Sequence, residues 1–325
     1  MSEPSDNSYS RRDFLRLGAL LAAGAGLSGS AAKVFADGLE KLSKGLPRVL
    51  WLQGQSCSGC SVSLLNSENP DPAELLTQLV SLVFHQTLSA AQGDLVLPLV
   101  ESVPAQGDFL LIVEGSIPAG MPEACLIAGK PLTEILPPLL EKAKAVVAVG
   151  TCAAYGGIPA AEGNATGALS VKAFMEKKNI PVRKRLVNCP SCPAHPESIV
   201  GTLAYVSSKG YPPVHPELLT PNMFYAMSTH DECPRFHSYE KKEFAQRFGD
   251  QTGCLFKLGC LGPLSYTNCP ARQWNGGVNW CIRAAAPCIG CTSAEFALKR
   301  DFPFYRKGEA HHTVGYSEVE RTGGQ

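Results

Sequence analysis

No excess of either charge marks this chain: lysine plus arginine and aspartate plus glutamate each number 29 in 325 residues. That balance excludes the strong field by which nucleic-acid binders and polybasic membrane-surface proteins find their partners. Beyond the N-terminal segment no stretch reaches about eighteen uninterrupted apolar residues, so no later membrane span is expected. No internal repeat is found. Nor is this a disordered composition, because 45% hydrophobic and 18% charged residues suffice for one large core or two modest ones. What the chain does have in quantity is cysteine, thirteen residues in all.

The first residues say where those cysteines live. Ser10-Arg11-Arg12-Asp13-Phe14-Leu15 is a twin-arginine pattern, and a short apolar run rich in Gly and Ala follows it from Leu17 to Ala23. That run is too short and weak to anchor in a bilayer. Val34-Phe35-Ala36 offers small residues where a signal peptidase reads, so residues 1–36 are expected to be a twin-arginine signal peptide. Such a signal is an address read by export machinery that carries folded proteins. The chain then folds in a reducing compartment, where thiolates are available as metal ligands. An odd number of cysteines also suits disulfides poorly.

The mature chain divides in two. In 37–216 short apolar runs at 48–53, 108–114, 145–150 and 185–188 read as buried parallel strands. Helical patterns at 72–82, 132–144 and 170–178 intervene, and 198–208 follows. This alternation predicts an α/β class with a flavodoxin-like doubly wound parallel sheet. Residues 217–306 are rich in Cys, Gly, Pro, Asn and aromatics with little periodicity, so an irregular C-terminal domain organised by metal clusters is expected. Residues 307–325 read as a polar tail.

Three cysteine constellations carry chemistry. The first lies at strand ends: Cys57 and Cys60 in QGQSCSGC, Cys152 in VGTCAAYGG, and Cys192 in NCPSCPAHP, where Cys189 competes for the same role. Ligands in open parallel sheets bind beyond the carboxyl ends of the strands, so these residues converge. Four soft ligands suit a [4Fe–4S] cube, and a structural zinc is the alternative. Gly54, Gly59, Gly150, Gly156 and Gly157 would let backbone approach a bulky group. The second is His230-x2-Cys233 with Cys254 and Cys260, a set that suits either zinc or a cluster whose imidazole ligand raises its potential. The third is Cys269, Cys281, Cys288 and Cys291, with Pro270 and Pro287 beside ligands. Trp274 and Trp280 read as core or interface aromatics. Cys125, with whichever of Cys189 and Cys192 is not a ligand, is left over as a buried, inert thiol. Glu114 ends an apolar strand before Gly115-Ser116-Ile117-Pro118, and reads equally as a proton relay and as a backbone-capping carboxylate.

In their order, QGQSCSGCSVSLLN, IVEGSIP, VAVGTCAAYGGIPAAEGN, CPSCPAHP, HDECP, LGCLGP and NCPARQWN…NWC…PCIGC resemble the small subunit of nickel-iron hydrogenases over nearly the whole mature chain. The resemblance implies that Cys57, Cys60, Cys152 and Cys192 hold a proximal [4Fe–4S] cluster, Cys192 being preferred because Ser191-Cys192-Pro193-Ala194 aligns with a GCPP-like motif. It implies that His230, Cys233, Cys254 and Cys260 hold a distal [4Fe–4S] cluster, and that Cys269, Cys288 and Cys291 hold the medial one. Most members have proline where this chain has Cys281, and their medial cluster is a [3Fe–4S]. A fourth thiolate here implies a [4Fe–4S] cube, as in the nickel-iron-selenium branch, which Tyr155-Gly156-Gly157 and the NWC…CIGC ending also resemble.

The function so implied is electron relay for a periplasmic hydrogenase. H2 would be oxidised, or protons reduced, on a large subunit that bears the nickel–iron site. This chain would pass electrons to an external acceptor such as a c-type cytochrome, with no catalytic residue and no C-terminal membrane anchor of its own. A ferredoxin-like carrier serving a different periplasmic oxidoreductase is the alternative. A zinc-stabilised periplasmic protein is a third.

Overall fold

A computed structural model describes residues 9–183 and 185–297. The chain enters through two packed helices, α1 (Arg11–Gly24) and α2 (Gly29–Gly45). Ser10 caps α1 by accepting the Asp13 amide while the Asp13 carboxylate takes the Ser10 amide, a reciprocal arrangement that settles two otherwise unpaired donors. A five-stranded parallel sheet follows: β1 (Arg48–Gln53), β2 (Ser81–His85), β3 (Phe109–Glu114), β4 (Ala145–Val149) and β5 (Leu186–Cys189), in the spatial order 2-1-3-4-5. This is the flavodoxin-like order expected from the alternation of elements.

The strands read as unbroken apolar runs because both faces are covered. Period-two alternation sorts their residues. Val49, Trp51, Leu110, Ile112 and Val147 point into a core shared with α1, α2 and the long helix Pro196–Lys209. Leu50, Leu52, Leu111, Val113 and Val146 point into a second core, shared with the helices that run Val96–Ser102, Leu132–Lys142 and Val171–Lys177. The register aligns Gln53 with Glu114, Glu114 with Val149, and Val149 with Cys189, so four strand ends form one row.

Two expectations need correcting. The helix expected over 72–82 ends early: a turn at Pro72–Glu74 continues through Leu75–Leu79, then Val80 is extended and β2 begins at Ser81. Apolar spacing in LLTQLVSLVF fits either period, and pairing with β1 decides it. The strand expected to reach residue 150 stops at Val149, because Gly150 takes φ +83° and opens the short helix Gly150–Tyr155.

After Gly210 the described residues contain no helix longer than five residues. Their small core is Ala245, Leu255, Leu258, Cys269, Trp280, Ile282 and Cys288, so two cysteines serve as core residues. No helix among the described residues is long and apolar enough to cross a membrane. Of the segment read as a signal peptide, residues 11–24 form α1 and 29–36 the first part of α2, where Phe35 and Ala36 are buried, and residues 1–8 lie outside the described residues. The tail expected at 307–325, with the last residues of the domain expected over 217–306, lies outside the described residues.

Ile112, fully buried mid-sheet, gives a direct test of this packing. Ile112→Ala should lower stability by about 2–5 kcal/mol in urea unfolding, whereas an exposed strand position would cost little.

Candidate metal centres

The row of strand ends makes a platform for the first thiols. Beyond β1 the chain turns through Ser58, at φ +61°, into the short helix Gly59–Leu64 that carries Cys60. Glu114 at the end of β3 is almost wholly buried beneath this turn. Its carboxylate accepts from Trp51 Nε1 (3.1 Å), Gln53 Nε2 (3.2 Å), Ser56 Oγ (2.9 Å), Ser61 Oγ (2.5 Å) and the Cys60 amide (3.1 Å). Five donors offset the cost of burying a charge and lock the Cys57–Cys60 turn to the sheet. Ser61 also bonds the buried His85 at 3.0 Å, tying the turn to β2.

Cys152 sits in the helix after β4, and Cys192 follows β5. The two segments are joined by reciprocal bonds: the Thr151 amide donates to the Ser191 carbonyl, and the Ser191 amide to Thr151 Oγ1, both at 3.0 Å. Three glycines explain how the thiols come together. A Cβ at Gly150 would lie 2.5 Å from Cys60 Sγ, one at Gly157 2.9 Å from Cys152 Sγ, and one at Gly59 3.1 Å from Cys57 Sγ. The Ala194 amide donates to Cys60 Sγ at 3.4 Å. Burial pushes Cys60 well up, with Glu114, Cys192 and Cys152 adding to it. Cys192 is pushed up to about 12 by burial and by Cys152, Cys291 and Cys57. Cys192 thus lies within electrostatic reach of Cys57, Cys60 and Cys152. Cys189 is not part of the group: its sulfur lies 3.3 Å from Thr202 Oγ1 on the helix Pro196–Lys209, fully buried. Cys125, expected to be buried, is half-buried against the edge of the second core and donates to the Gln53 carbonyl at 3.7 Å.

His230, Cys233, Cys254 and Cys260 line one pocket, together with Thr229, Arg235 and Gly262. The His230 ring packs edge-on to Phe236 and Tyr239, with centroids 5.1 and 4.7 Å away. Arg235 donates its amide to Cys233 Sγ at 3.4 Å, and its guanidinium is held by the carbonyls of Asp250 and Gly253. Cys260 is pushed up to about 12, first by burial and then by Cys254 and Cys233.

Cys269, Cys281, Cys288 and Cys291 lie between the other two sets. Cys281 is pushed up to about 11 by burial and by Cys291 and Cys269, although its residue surface is exposed. Arg272 donates to Cys269 Sγ at 3.5 Å. On one side Cys291 Sγ lies 3.4 Å from Ser191 Oγ, and its carbonyl accepts from Thr151 Oγ1. On the other, the Cys288 amide donates to Cys260 Sγ at 3.4 Å. The thiols thus form a file from the strand ends to the His230 pocket. Among the described residues no three His, Cys, Asp or Glu side chains close on a point that one ion could occupy. Thiols gathered in this way make a soft donor set.

Residues 225–305 match the family model for the C-terminal part of the NiFe/NiFeSe hydrogenase small subunit, and residues 57–206 match that of the NADH ubiquinone oxidoreductase 20 Kd subunit. The periplasmic [NiFeSe] hydrogenase small subunit of Desulfomicrobium baculatum is 40% identical over 92% of this chain and 99% of its own length. The chain belongs to the NiFe/NiFeSe hydrogenase small subunits. A periplasmic [NiFe] hydrogenase small subunit from Solidesulfovibrio fructosivorans is 34% identical over 93% of this chain and 94% of its own. Among solved structures, the [NiFeSe] hydrogenase of Desulfovibrio vulgaris Hildenborough matches with a TM-score of 0.75 at 38% identity, covering 82% of this chain and 99% of that one. The Desulfomicrobium baculatum [NiFeSe] hydrogenase structure matches with a TM-score of 0.73 at 40% identity, over 80% of this chain and 98% of that one.

Sequence reasoning did not find the donors around Glu114, nor Arg235 and Arg272 beside the thiols of this small subunit. The arginines carried a signal in their positions two and three residues after a cysteine. Trp51, Gln53 and Ser61 carried none. Glu114→Leu should leave the Cys60 amide and the Ser61 and Trp51 donors buried without an acceptor. The expected loss is about 3 kcal/mol or more in urea unfolding, with less iron retained per chain by colorimetric assay.

Proposed function

We propose that this small subunit holds three iron–sulfur clusters and carries electrons between the nickel–iron site of a hydrogenase large subunit and an external acceptor. The observation that carries this reading is the unbroken file of thiols, from Cys57, Cys60, Cys152 and Cys192, past Cys291 and Cys288, to Cys260 and the His230 pocket. Cys57, Cys60, Cys152 and Cys192 would hold the proximal [4Fe–4S] cluster. Cys269, Cys281, Cys288 and Cys291 would hold the medial one, also a [4Fe–4S]. His230, Cys233, Cys254 and Cys260 would hold the distal [4Fe–4S]. Such clusters, when bound, supply reversible one-electron exchange.

The chain's own residues set the environment. Amides of Ala194, Arg235 and Cys288 donate to Cys60, Cys233 and Cys260, which stabilises negative charge on the sulfurs. Arg272 places a cation against Cys269 in the middle set. Glu114 is assigned a positioning role, because its bonds fix the turn that presents Cys57 and Cys60. Burial of Cys60, Cys254, Cys269 and Cys288 keeps water from the sulfurs. The twin-arginine pattern supports export of the folded protein to the periplasm, with a c-type cytochrome as acceptor, and Cys281 supports a place in the nickel-iron-selenium branch.

Electron paramagnetic resonance of the oxidised heterodimer tests the middle assignment. The wild type should show no [3Fe–4S] signal and about twelve irons per small subunit. Cys281→Ser should produce that signal and lose about one iron. A strong three-iron signal in the wild type would remove Cys281 from the ligand set, and zinc in place of iron would end the relay reading.

A further inference from the structure

The file of thiols crosses two gaps between sets, and a hydrogen bond spans each. Between the middle set and the His230 pocket the bond is made by backbone, the Cys288 amide donating to Cys260 Sγ at 3.4 Å. Nearly any residue at 288 would supply that amide. Between the first set and the middle one a side chain makes it: Ser191 Oγ lies 3.4 Å from Cys291 Sγ. A sulfur that ligates metal has no proton to give, so in the loaded protein the hydroxyl is the donor.

Ser191 holds this place under strain. Its φ is +144°, a region open to glycine and disfavoured for any residue with a Cβ. Its side chain is buried. The neighbouring helix pins it by two bonds at 3.0 Å: the Thr151 amide donates to the Ser191 carbonyl, and the Ser191 amide donates to Thr151 Oγ1. The Thr151 hydroxyl donates in turn to the Cys291 carbonyl, so the segments that carry Cys152, Cys192 and Cys291 meet in one knot of bonds. Glycine at 191 would keep both bonds to Thr151, because both use backbone of 191, and would relieve the strain. What glycine could not supply is the hydroxyl. A strained residue held in place by its surroundings points to a task for its side chain.

We propose that the Ser191 hydroxyl couples the first thiol set to the middle one, so that electrons cross between Cys192 and Cys291 through its hydrogen bond. This rests on the reading of the chain as an electron relay. The link runs from the Cys192 sulfur along the backbone to Ser191, out to Oγ, and over one hydrogen bond to Cys291 Sγ. Every other step in it is covalent. One electron passes at each crossing: the set it leaves is oxidised and the set it enters is reduced. No bond forms or breaks, and no proton moves. The hydroxyl also stabilises negative charge on Cys291, as the backbone of Cys192 does, against the burial that raises that thiol. It therefore favours the reduced state of the middle set. Because the Cys192 backbone also reaches Cys291, loss of the hydroxyl slows the crossing without abolishing it.

Ser191→Gly in the loaded heterodimer tests this, since it removes the hydroxyl and leaves the backbone bonds in place. Iron per chain should match the wild type, and resistance to urea should stay close to it. Electrons injected by a laser-driven reductant and followed by time-resolved spectroscopy should pass between the first and middle sets several-fold more slowly. A redox titration read by electron paramagnetic resonance should give the middle set a lower midpoint potential. Unchanged transfer would overturn the proposal even beside a lowered midpoint, because the hydroxyl would then only tune the sulfur. Loss of iron from the variant would overturn it too, since Ser191 would then be holding the site together. A wild type without iron, or with iron that exchanges no electrons, ends the relay reading itself. A loaded wild type that relays electrons no faster than the variant sinks the coupling alone.

Discussion

The parallel register of the sheet is the constraint on which everything else depends. Because Gln53, Glu114, Val149 and Cys189 lie in one row, the loops that leave them leave from one edge. Thiols separated by more than a hundred residues in sequence then need only short turns to meet. Those turns run through positive-φ glycine at Gly150 and Gly157, where any side chain would strike a cysteine. Beneath them a carboxylate with five donors fixes the height of the first turn above the sheet. The arrangement is stiff by construction: each thiol-bearing segment is tied to a strand or to its neighbour, and little can shift without breaking a buried bond.

The C-terminal region follows a different logic. It has short helical pieces, a core of seven residues, and two of its own cysteines in that core. Among the described residues this is little hydrophobic burial for a region of this length, and the clusters proposed above would contribute to its folding. Burial raises the thiols of Cys233, Cys254, Cys260, Cys281, Cys288 and Cys291 above their ordinary values, so without a metal they stay protonated at neutral pH. Binding of the proposed clusters would exchange those protons for metal and convert a set of buried polar groups into the centre of the fold.

What the sequence makes legible is what local spacing encodes. The C-x2-C pairs, His230 with Cys233, and the apolar runs of β1, β3, β4 and β5 can all be read residue by residue. β2 escapes because its apolar spacing suits a helix as well as an edge strand, and only the neighbouring β1 resolves it. Trp51, Gln53 and Ser61 escape for a related reason: what makes them matter is that the adjacent strand β3 delivers Glu114 to them. The segment read as a leader stands out by composition, yet the packing of α1 and α2 against Pro196–Lys209 does not. An apolar run reads alike whether lipid, a receptor or its own protein takes it up. The exposed surface of Cys281 is likewise a property of the loop around it and not of its spacing.

The contact between Thr151 and Cys291 spans 140 residues. A chain made from its N-terminus completes the sheet, and with it the platform at the strand ends, long before Cys291 exists. Until then the first thiols stand at an open edge, reachable from outside. The late-made segment shuts that edge by bonding Thr151 and laying its own thiol beside Ser191. Order of synthesis thus becomes order of assembly: the platform at the strand ends forms first and is closed by a segment made 140 residues later.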